Sequence, residues 1–272
     1  MRELNGRELA GYIKERQAHE VRGLRQALHV QPKLAIVVTV EHPAIDVYMR
    51  MKQRYGADIL VDVGVHRIDQ AEAPAVISQL NEDASVHGII VQLPLADPAH
   101  TEDIVNLVDP KKDVDALGKD AVLDPATPLA ILWLLAGYNI DLAGKKIVLV
   151  GRGKLVGAPL ERILLGSGHD VTVVDKQTKD VAGAVREADI LITATGSPGV
   201  ITSDMIKRGA TVVDAGVAGE QGKTVGDLAP DVYERDDLTI TPTKGGVGPL
   251  TICALFENVI RAARASVTSE AK

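Results

Sequence analysis

Aromatic residues are scarce: Phe, Trp and Tyr make up 3% of the 272 residues, with one Trp (Trp133) and one Phe (Phe256). A base-stacking platform for single-stranded nucleic acid needs such rings and is disfavoured. The core must therefore be built from Val, Leu, Ile and Ala. A single cysteine, Cys253, excludes an intrachain disulfide and a multi-cysteine zinc site. On an apolar helix face it reads as a small buried residue. No basic block occurs, and 30 basic against 37 acidic residues leave a net charge of −7, which argues against a general grip on nucleic acid or anionic lipid. No apolar run reaches the roughly 20 residues that span a bilayer, and the stretch from Met1 to Gly6 lacks the apolar segment of a signal peptide. The expectation is a cytoplasmic protein with no nucleic-acid or membrane partner. The seven histidines are scattered, with none paired at ligand spacing, so no metal is expected.

Composition is otherwise that of a globular chain, 46% hydrophobic and 25% charged. At roughly 150 residues per domain the length suggests two domains. Apolar residues at Leu9, Ile13, Val21, Leu24 and Leu28 are spaced as on a helix. The run from Leu34 to Val40 is β-branched and apolar on both faces, as in a parallel strand covered by helices on both sides. A helix from Ala44 to Tyr55, a strand near Val63 to Ile68, a helix from Ala73 to Asp83 and a buried strand from Gly88 to Leu93 continue the alternation, which is βαβ. A short helix from Thr101 to Val108 follows. Residues 113 to 128 are irregular and hold Pro125 and Pro128, marking an inter-domain crossing. After a helix from Leu129 to Ala136, βα alternation restarts: strands Lys146 to Val150, Val171 to Val174, Ile190 to Ala194, Ala210 to Asp214 and Leu238 to Ile240, with helices Leu155 to Leu165 and Val181 to Glu187. That half reads as a Rossmann-like, parallel-sheet nucleotide-binding unit. The expected division is 1–124 and 125–249, with the last helix, 250–266, returning to the first domain.

Val148 to Pro159 ends a strand and opens a helix, and carries Gly151, Gly153 and Gly157 as Gly-x-Gly-x-x-x-Gly. Glycines there let the backbone turn tightly and approach a pyrophosphate, whose charge meets free helix N-terminal amides. The spacing is one residue longer than the usual fingerprint, but Asp175 follows 24 residues after Gly151, at the end of the next strand. A carboxylate there takes ribose hydroxyls and favours NAD. Arg152 and Lys176 are two cations that suit the 2′-phosphate of NADP. Both cofactors remain open on these residues alone.

Further motifs carry a specific likeness. They are Pro43-Ala44 followed by Tyr48-x-x-x-Lys52, the run Gly88 to Leu95 containing Gln92, Lys112-Asp113-Val114-Asp115, Thr127-Pro128, the Gly151 to Pro159 loop, and Gly245-Gly246-Val247-Gly248-Pro249-Leu250-Thr251. In this order and spacing the chain resembles the bifunctional methylenetetrahydrofolate dehydrogenase/cyclohydrolase family over nearly its whole length. Tyr48 and Lys52 lie four residues apart and share a helix face. Gln92 stands at the C-terminal end of a buried strand, where open α/β sheets bind ligands.

The resemblance implies that an N-terminal folate-binding domain is joined to an NAD(P) domain. It implies that Tyr48 lies against the pteridine and p-aminobenzoyl part of folate, that Lys52 and Gln92 surround the one-carbon bridge, and that Asp115 holds the pterin's amino and ring nitrogens. It places Gly246 and Pro249 in a loop close to folate or nicotinamide, and backbone near Val217 at the carboxamide. It implies NADP as cofactor, with NAD as the alternative, a homodimer, and a place in one-carbon metabolism that feeds purine biosynthesis. Lys52 would exchange the protons of the hydrolytic step, which requires an ammonium pKa depressed by a nearby cation and by partial burial. Asp113 fits a loop-capping aspartate better than Asp115 does. Gly153 stands where the family usually has serine, Asp175 where histidine is common, and Ala116 where glycine follows the aspartate. Such departures suit a divergent member with unequal activities. Two other readings use part of the same sequence: a two-domain dehydrogenase of another small acid, and a non-catalytic folate- or nucleotide-binding homologue.

Overall fold

The computed structural model describes residues 1–220 and 223–270. Strands and helices run in the order β1 (Arg2–Glu3), α1 (Gly6–Ala27), β2 (Lys33–Val38), α2 (Pro43–Asp58), β3 (Asp62–Arg67), α3 (Ala73–Glu82), β4 (Gly88–Val91), α4 (Thr101–Val105) and α5 (Ala126–Gly137). They continue with β5 (Ile147–Val150), α6 (Gly157–Gly166), β6 (Val171–Val174), α7 (Val181–Arg186), β7 (Ile190–Thr193), β8 (Thr211–Asp214), β9 (Ala218–Glu220), β10 (Lys223–Val225), β11 (Thr239–Ile240) and α8 (Val247–Glu270). The fold is α/β throughout, and the chain divides into two compact units. One comprises Met1–Ala10 with Thr127–Thr251, the other Gly11–Ala126 with Ile252–Lys272.

The unit around Gly11–Ala126 holds a three-stranded parallel sheet in the order β3-β2-β4. Central β2 is wholly apolar after its first residue, and Leu34, Ala35, Ile36, Val37 and Val38 are all buried, as its sequence predicts. The two faces of β2 and β4 feed separate clusters; one packs Ala35, Val37, Ile89 and Val91 against Ile77 and Leu80 of α3 and Ile104 of α4. The α8 segment from Ile252 onward belongs to this unit, and Cys253, Phe256, Val259 and Ile260 are buried. Its Phe256 ring lies 4.9 Å from that of Tyr55 on α2. A methyl group at Gly88 would fall 2.8 Å from Val114, so β4 needs glycine at its start.

The second unit is a six-stranded parallel sheet in the order β1-β11-β8-β7-β5-β6. Strands β5 and β7 are fully buried, as their apolar sequence, interrupted only by Thr193 at the end of β7, predicts. Met1–Ala10 joins this unit because Arg2 and Glu3 pair in parallel register with Thr239 and Ile240. The Tyr138 hydroxyl, on the turn after α5, accepts the Asn5 N–H at 2.9 Å and holds the same segment. A two-residue strand has no periodicity, so β1 leaves no sequence signal. The β9 and β10 hairpin is also unforeseen. Helix α6 starts at Gly157 rather than Leu155, which leaves the residues from Arg152 to Val156 as loop.

The motif from Lys112 to Asp115 divides its labour within a few ångströms. Lys112 Nζ donates to the carbonyls of Leu80, Asn81 and Asp83 at 3.1, 2.7 and 2.8 Å and so caps the end of α3. Asp113 is buried and accepts the Gly118 N–H at 2.8 Å, the loop-capping role its neighbour does not take. The next turn places Ala116 at φ 54°, in the left-handed region. Alanine is strained there and glycine is not. Ala116→Gly is therefore expected to stabilise the folded chain by about 0.5–1 kcal/mol, read as a shift in the denaturant midpoint; an unchanged or lowered midpoint contradicts the strain.

Candidate functional site

Helix α2 is fixed before its polar face is used. The Tyr55 hydroxyl donates to Gln17 Oε1 at 2.7 Å and lies 3.2 Å from Cys253 Sγ, while fully buried Gln17 donates to the Cys253 carbonyl at 2.9 Å and to Glu257 at 3.0 Å. Burial drives the Tyr55 pKa far up, so its proton stays in place. Neither Tyr55 nor Gln17 is marked by a motif, although a tyrosine three residues after Lys52 on the helix was visible.

One residue triplet from Tyr55, half-buried Lys52 donates from Nζ to Gln92 Oε1 at 2.9 Å. The other end of the Gln92 amide donates to the Leu93 carbonyl at 2.7 Å, which sets its orientation and aims oxygen at the ammonium. Asp115 lies within electrostatic reach of Lys52. Burial lowers the Lys52 pKa below that of an ordinary lysine, and the Asp115 charge pulls it back up. The same burial raises the Asp115 pKa, with Lys52 opposing. The nearby charge is thus a carboxylate and not the expected cation, and loss of hydration is what depresses the lysine. Among the described residues no hydrogen bond to the Asp115 carboxylate is present, so its oxygens are available to a ligand. Tyr48, one turn before Lys52, is 46% exposed. A half-buried base, an oriented amide and an unsatisfied carboxylate, bordered by an exposed ring, suit a planar ligand with paired N–H groups and a reacting carbon near Lys52.

In the other unit the glycine loop leaves β5. Gly151 has φ 103°, and a methyl group there would fall 2.5 Å from the Ala194 carbonyl oxygen; one at Gly157 would fall 2.0 Å from that of Gly151. These two glycines are sterically required. Gly153 has open space around its missing side chain and is not. The tight turn into α6 leaves backbone that a pyrophosphate can approach, so the loop fits a dinucleotide. Arg152 is held by Glu161 on α6, with Nε and one terminal nitrogen 2.7 and 3.4 Å from the carboxylate oxygens. Asp175 accepts the Gln177 N–H at 2.8 Å in its own turn, and Lys176 is exposed beside it. Val217 is 62% exposed, and its carbonyl oxygen comes 3.4 Å from where a Gly196 methyl would stand. Gly246 sits tightly against Thr241 and against Gly6, while Pro249 lies in the first turn of α8. Thus Lys52, Gln92 and Asp115 come together in one unit, and Gly151, Arg152, Gly153, Asp175, Lys176, Val217, Gly246 and Pro249 belong to the other.

A parallel nucleotide-binding sheet in one unit and a lysine, glutamine and aspartate set in the other define a dinucleotide-dependent α/β enzyme. Residues 4–115 match the tetrahydrofolate dehydrogenase/cyclohydrolase catalytic domain, and residues 125–267 match its NAD(P)-binding domain. The chain belongs to that family. It is 40% identical over 276 residues to the bifunctional protein FolD of Moorella thermoacetica, covering 96% of this chain and 98% of that protein. The crystal structure of the bifunctional enzyme FolD from Campylobacter jejuni matches with a TM-score of 0.91 at 35% identity, over 96% of this chain and 98% of that one. The Trypanosoma brucei dehydrogenase-cyclohydrolase, complexed with NADP cofactor and inhibitor, matches with a TM-score of 0.90 at 30% identity over 97% of both chains.

The electrostatic pairing has a direct test. Asp115→Asn removes the charge that holds the Lys52 proton, so the Lys52 pKa should fall further below the ordinary lysine value. A lysine-resolved NMR titration of wild type and variant checks this, and an unchanged or higher pKa shows that the two groups are not coupled.

Proposed function

We propose that this enzyme oxidises 5,10-methylenetetrahydrofolate to 5,10-methenyltetrahydrofolate with NADP and hydrolyses the product to 10-formyltetrahydrofolate. The observation that carries the reading is the half-buried Lys52 ammonium 2.9 Å from Gln92 Oε1 with Asp115 in electrostatic reach, in a chain of this family. Asp115 takes the pterin's paired N–H edge, and Tyr48 offers its ring to the flat part of the substrate. Bound NADP supplies the hydride acceptor for the first step. For that step the chain's task is orientation, supplied by the pterin contact at Asp115 and by the loops from Gly151, Val217 and Gly246.

In the second step water adds to the cationic methenyl carbon and must lose a proton. Lys52 in its neutral form takes it, and a lowered pKa raises the neutral fraction near neutral pH. The C–N5 bond then breaks as the new hydroxyl gives its proton to solvent and becomes the carbonyl, N5 receives a proton from the Lys52 ammonium, and the carbon remains on N10 as formyl. One water is consumed and one proton is released overall. Gln92 positions the Lys52 amine for both transfers. We further propose a homodimer in the cytoplasm that supplies formyl-bearing folate for purine biosynthesis, with residues 1–124 and 250–266 as the folate domain, less the first ten residues that join the other sheet, and 125–249 as the dinucleotide domain. Family resemblance is the support for these.

Lys52→Ala is expected to lower the hydrolysis of added methenyltetrahydrofolate by at least about a hundredfold while dinucleotide affinity is kept. In wild type the hydrolytic rate should rise with pH and level off above the Lys52 pKa. If folate binds but neither NADP nor NAD is ever reduced, the non-catalytic reading replaces this one. Cofactor choice has its own prediction. Glu161→Gln releases Arg152 to meet a 2′-phosphate, so affinity for NADP relative to NAD should rise by up to about fivefold, the worth of an exposed ion pair. Parallel KM values for the two cofactors check it, and an unchanged ratio shows that Arg152 does not read the phosphate.

A further inference from the structure

The dinucleotide unit holds two interlocked aspartates to which no contact described above assigns a role. Asp227 is fully buried and accepts the backbone N–H of Thr195 at 2.6 Å and of Ser197 at 3.0 Å. Asp214, the last residue of β8, accepts the N–H of Gly216, Asp227 and Leu228 at 2.9, 3.1 and 3.2 Å and the Thr193 hydroxyl at 3.0 Å. The Tyr233 hydroxyl donates to it as well. Each carboxylate lies over the glycine beside the other. A methyl group at Gly216 would fall 2.1 Å from Asp227 Oδ1, and one at Gly226 would fall 2.0 Å from Asp214 Oδ2.

Two neighbouring carboxylates out of water repel one another and forgo hydration, a larger cost than an ordinary exposed Asx turn carries. What that cost secures is the path of two segments, 195–197 after β7 and 215–217 after β8. Both leave the C-terminal ends of parallel strands, where open α/β sheets receive their ligands. The segments also meet each other, since Gly196, at φ 65°, comes against the Val217 carbonyl. Glycine at 216 and 226 is what lets the carboxylates approach the backbone closely enough to take several donors at once.

We propose that Asp227, seated by Asp214, is a positioning residue for dinucleotide binding: it fixes the 195–197 and 215–217 segments so that their backbone groups meet the nicotinamide end. This deepens the dinucleotide-dependent reading and rests on it. Asparagine at 227 turns a double acceptor into a group with one acceptor and one donor, leaving one of the two part-buried N–H groups unmatched. The comparison is wild type against Asp227→Asn. Amide hydrogen exchange at Thr195 and Ser197, measured without dinucleotide, should quicken by at least about tenfold, and the NADP Kd by calorimetry and its KM should rise about tenfold to a hundredfold, the effect of losing a charged acceptor. Hydrolysis of methenyltetrahydrofolate, which uses no dinucleotide, should stay within about twofold.

Faster exchange with an unchanged Kd overturns the proposal. A fall of both activities together with the melting temperature does so too, because it marks a general scaffold role. Should Asp227→Asn not fold, Gly216→Ala replaces it, pressing a methyl onto Asp227 while keeping both carboxylates, and is read by the same measurements. If wild type never oxidises methylenetetrahydrofolate, the proposed reaction fails, and the Kd and exchange comparisons still decide the positioning role.

Discussion

Removing the Lys52 ammonium from water beside the Asp115 carboxylate is the constraint on which the folate-binding unit depends. Each charge loses hydration, and their attraction returns part of it. Full pairing would make a structural ion pair, and full exposure would leave an ordinary lysine. The structure sits between these limits: Lys52 bonds to Gln92 at 2.9 Å rather than directly to Asp115, so the carboxylate keeps its lone pairs for a ligand and the lysine keeps a lowered pKa. Everything around this arrangement serves to hold it. Gln92 follows the buried strand β4 and is oriented by the Leu93 carbonyl; Asp115 lies within a loop tied by Lys112 and Asp113; and α2 is pinned from behind through Tyr55, Gln17 and Cys253.

The dinucleotide unit handles buried charge in the opposite way. Asp214 and Asp227 are saturated with donors from the backbone and from Thr193 and Tyr233, so they have little capacity left for a ligand. Burial raises the Asp214 pKa and the backbone N–H groups restrain the rise. A carboxylate so enclosed is committed to its own backbone, whereas one without protein donors, such as Asp115, keeps its lone pairs for a ligand. The number of internal donors at each buried acid therefore distinguishes the two proposed roles, positioning and binding, without reference to motif.

Much of this was legible in the sequence because apolar patterning reports burial directly. The runs at 34–38, 88–91, 147–150 and 190–193 became the covered strands of the two parallel sheets. Lys52 and Gln92, which the family resemblance set together and of which Gln92 was also marked by the end of a buried strand, came together at hydrogen-bond distance. Elements too short to have a period were not legible: β1 owes its existence to pairing with β11, which is more than 200 residues away in the chain. Nor could the cause of the lysine pKa be read, since a cation was expected where folding places Asp115. Asp227 was hidden for the same reason, because the N–H groups it serves lie 30 and 32 residues before it. Gly-Asp in a sequence reads as a turn until its distant donors are placed.

At the phosphate end, composition at a position and function at that position come apart. Three glycines mark the loop, yet only Gly151 and Gly157 are forced by contact with backbone, and Gly153 is surrounded by open space. A serine hydroxyl would meet no steric objection at 153, so its replacement by glycine removes a donor without any gain in packing. Arg152, the cation beside it, is turned onto Glu161, and Asp175 is taken up by its own turn. A 2′-phosphate reaching this loop meets a guanidinium already shared with a carboxylate, and must outcompete it with two negative charges against one. On the proposed reading the loop takes the phosphate through an exchange of partners at Arg152, and its preference for NADP over NAD then depends on how firmly Glu161 holds that arginine.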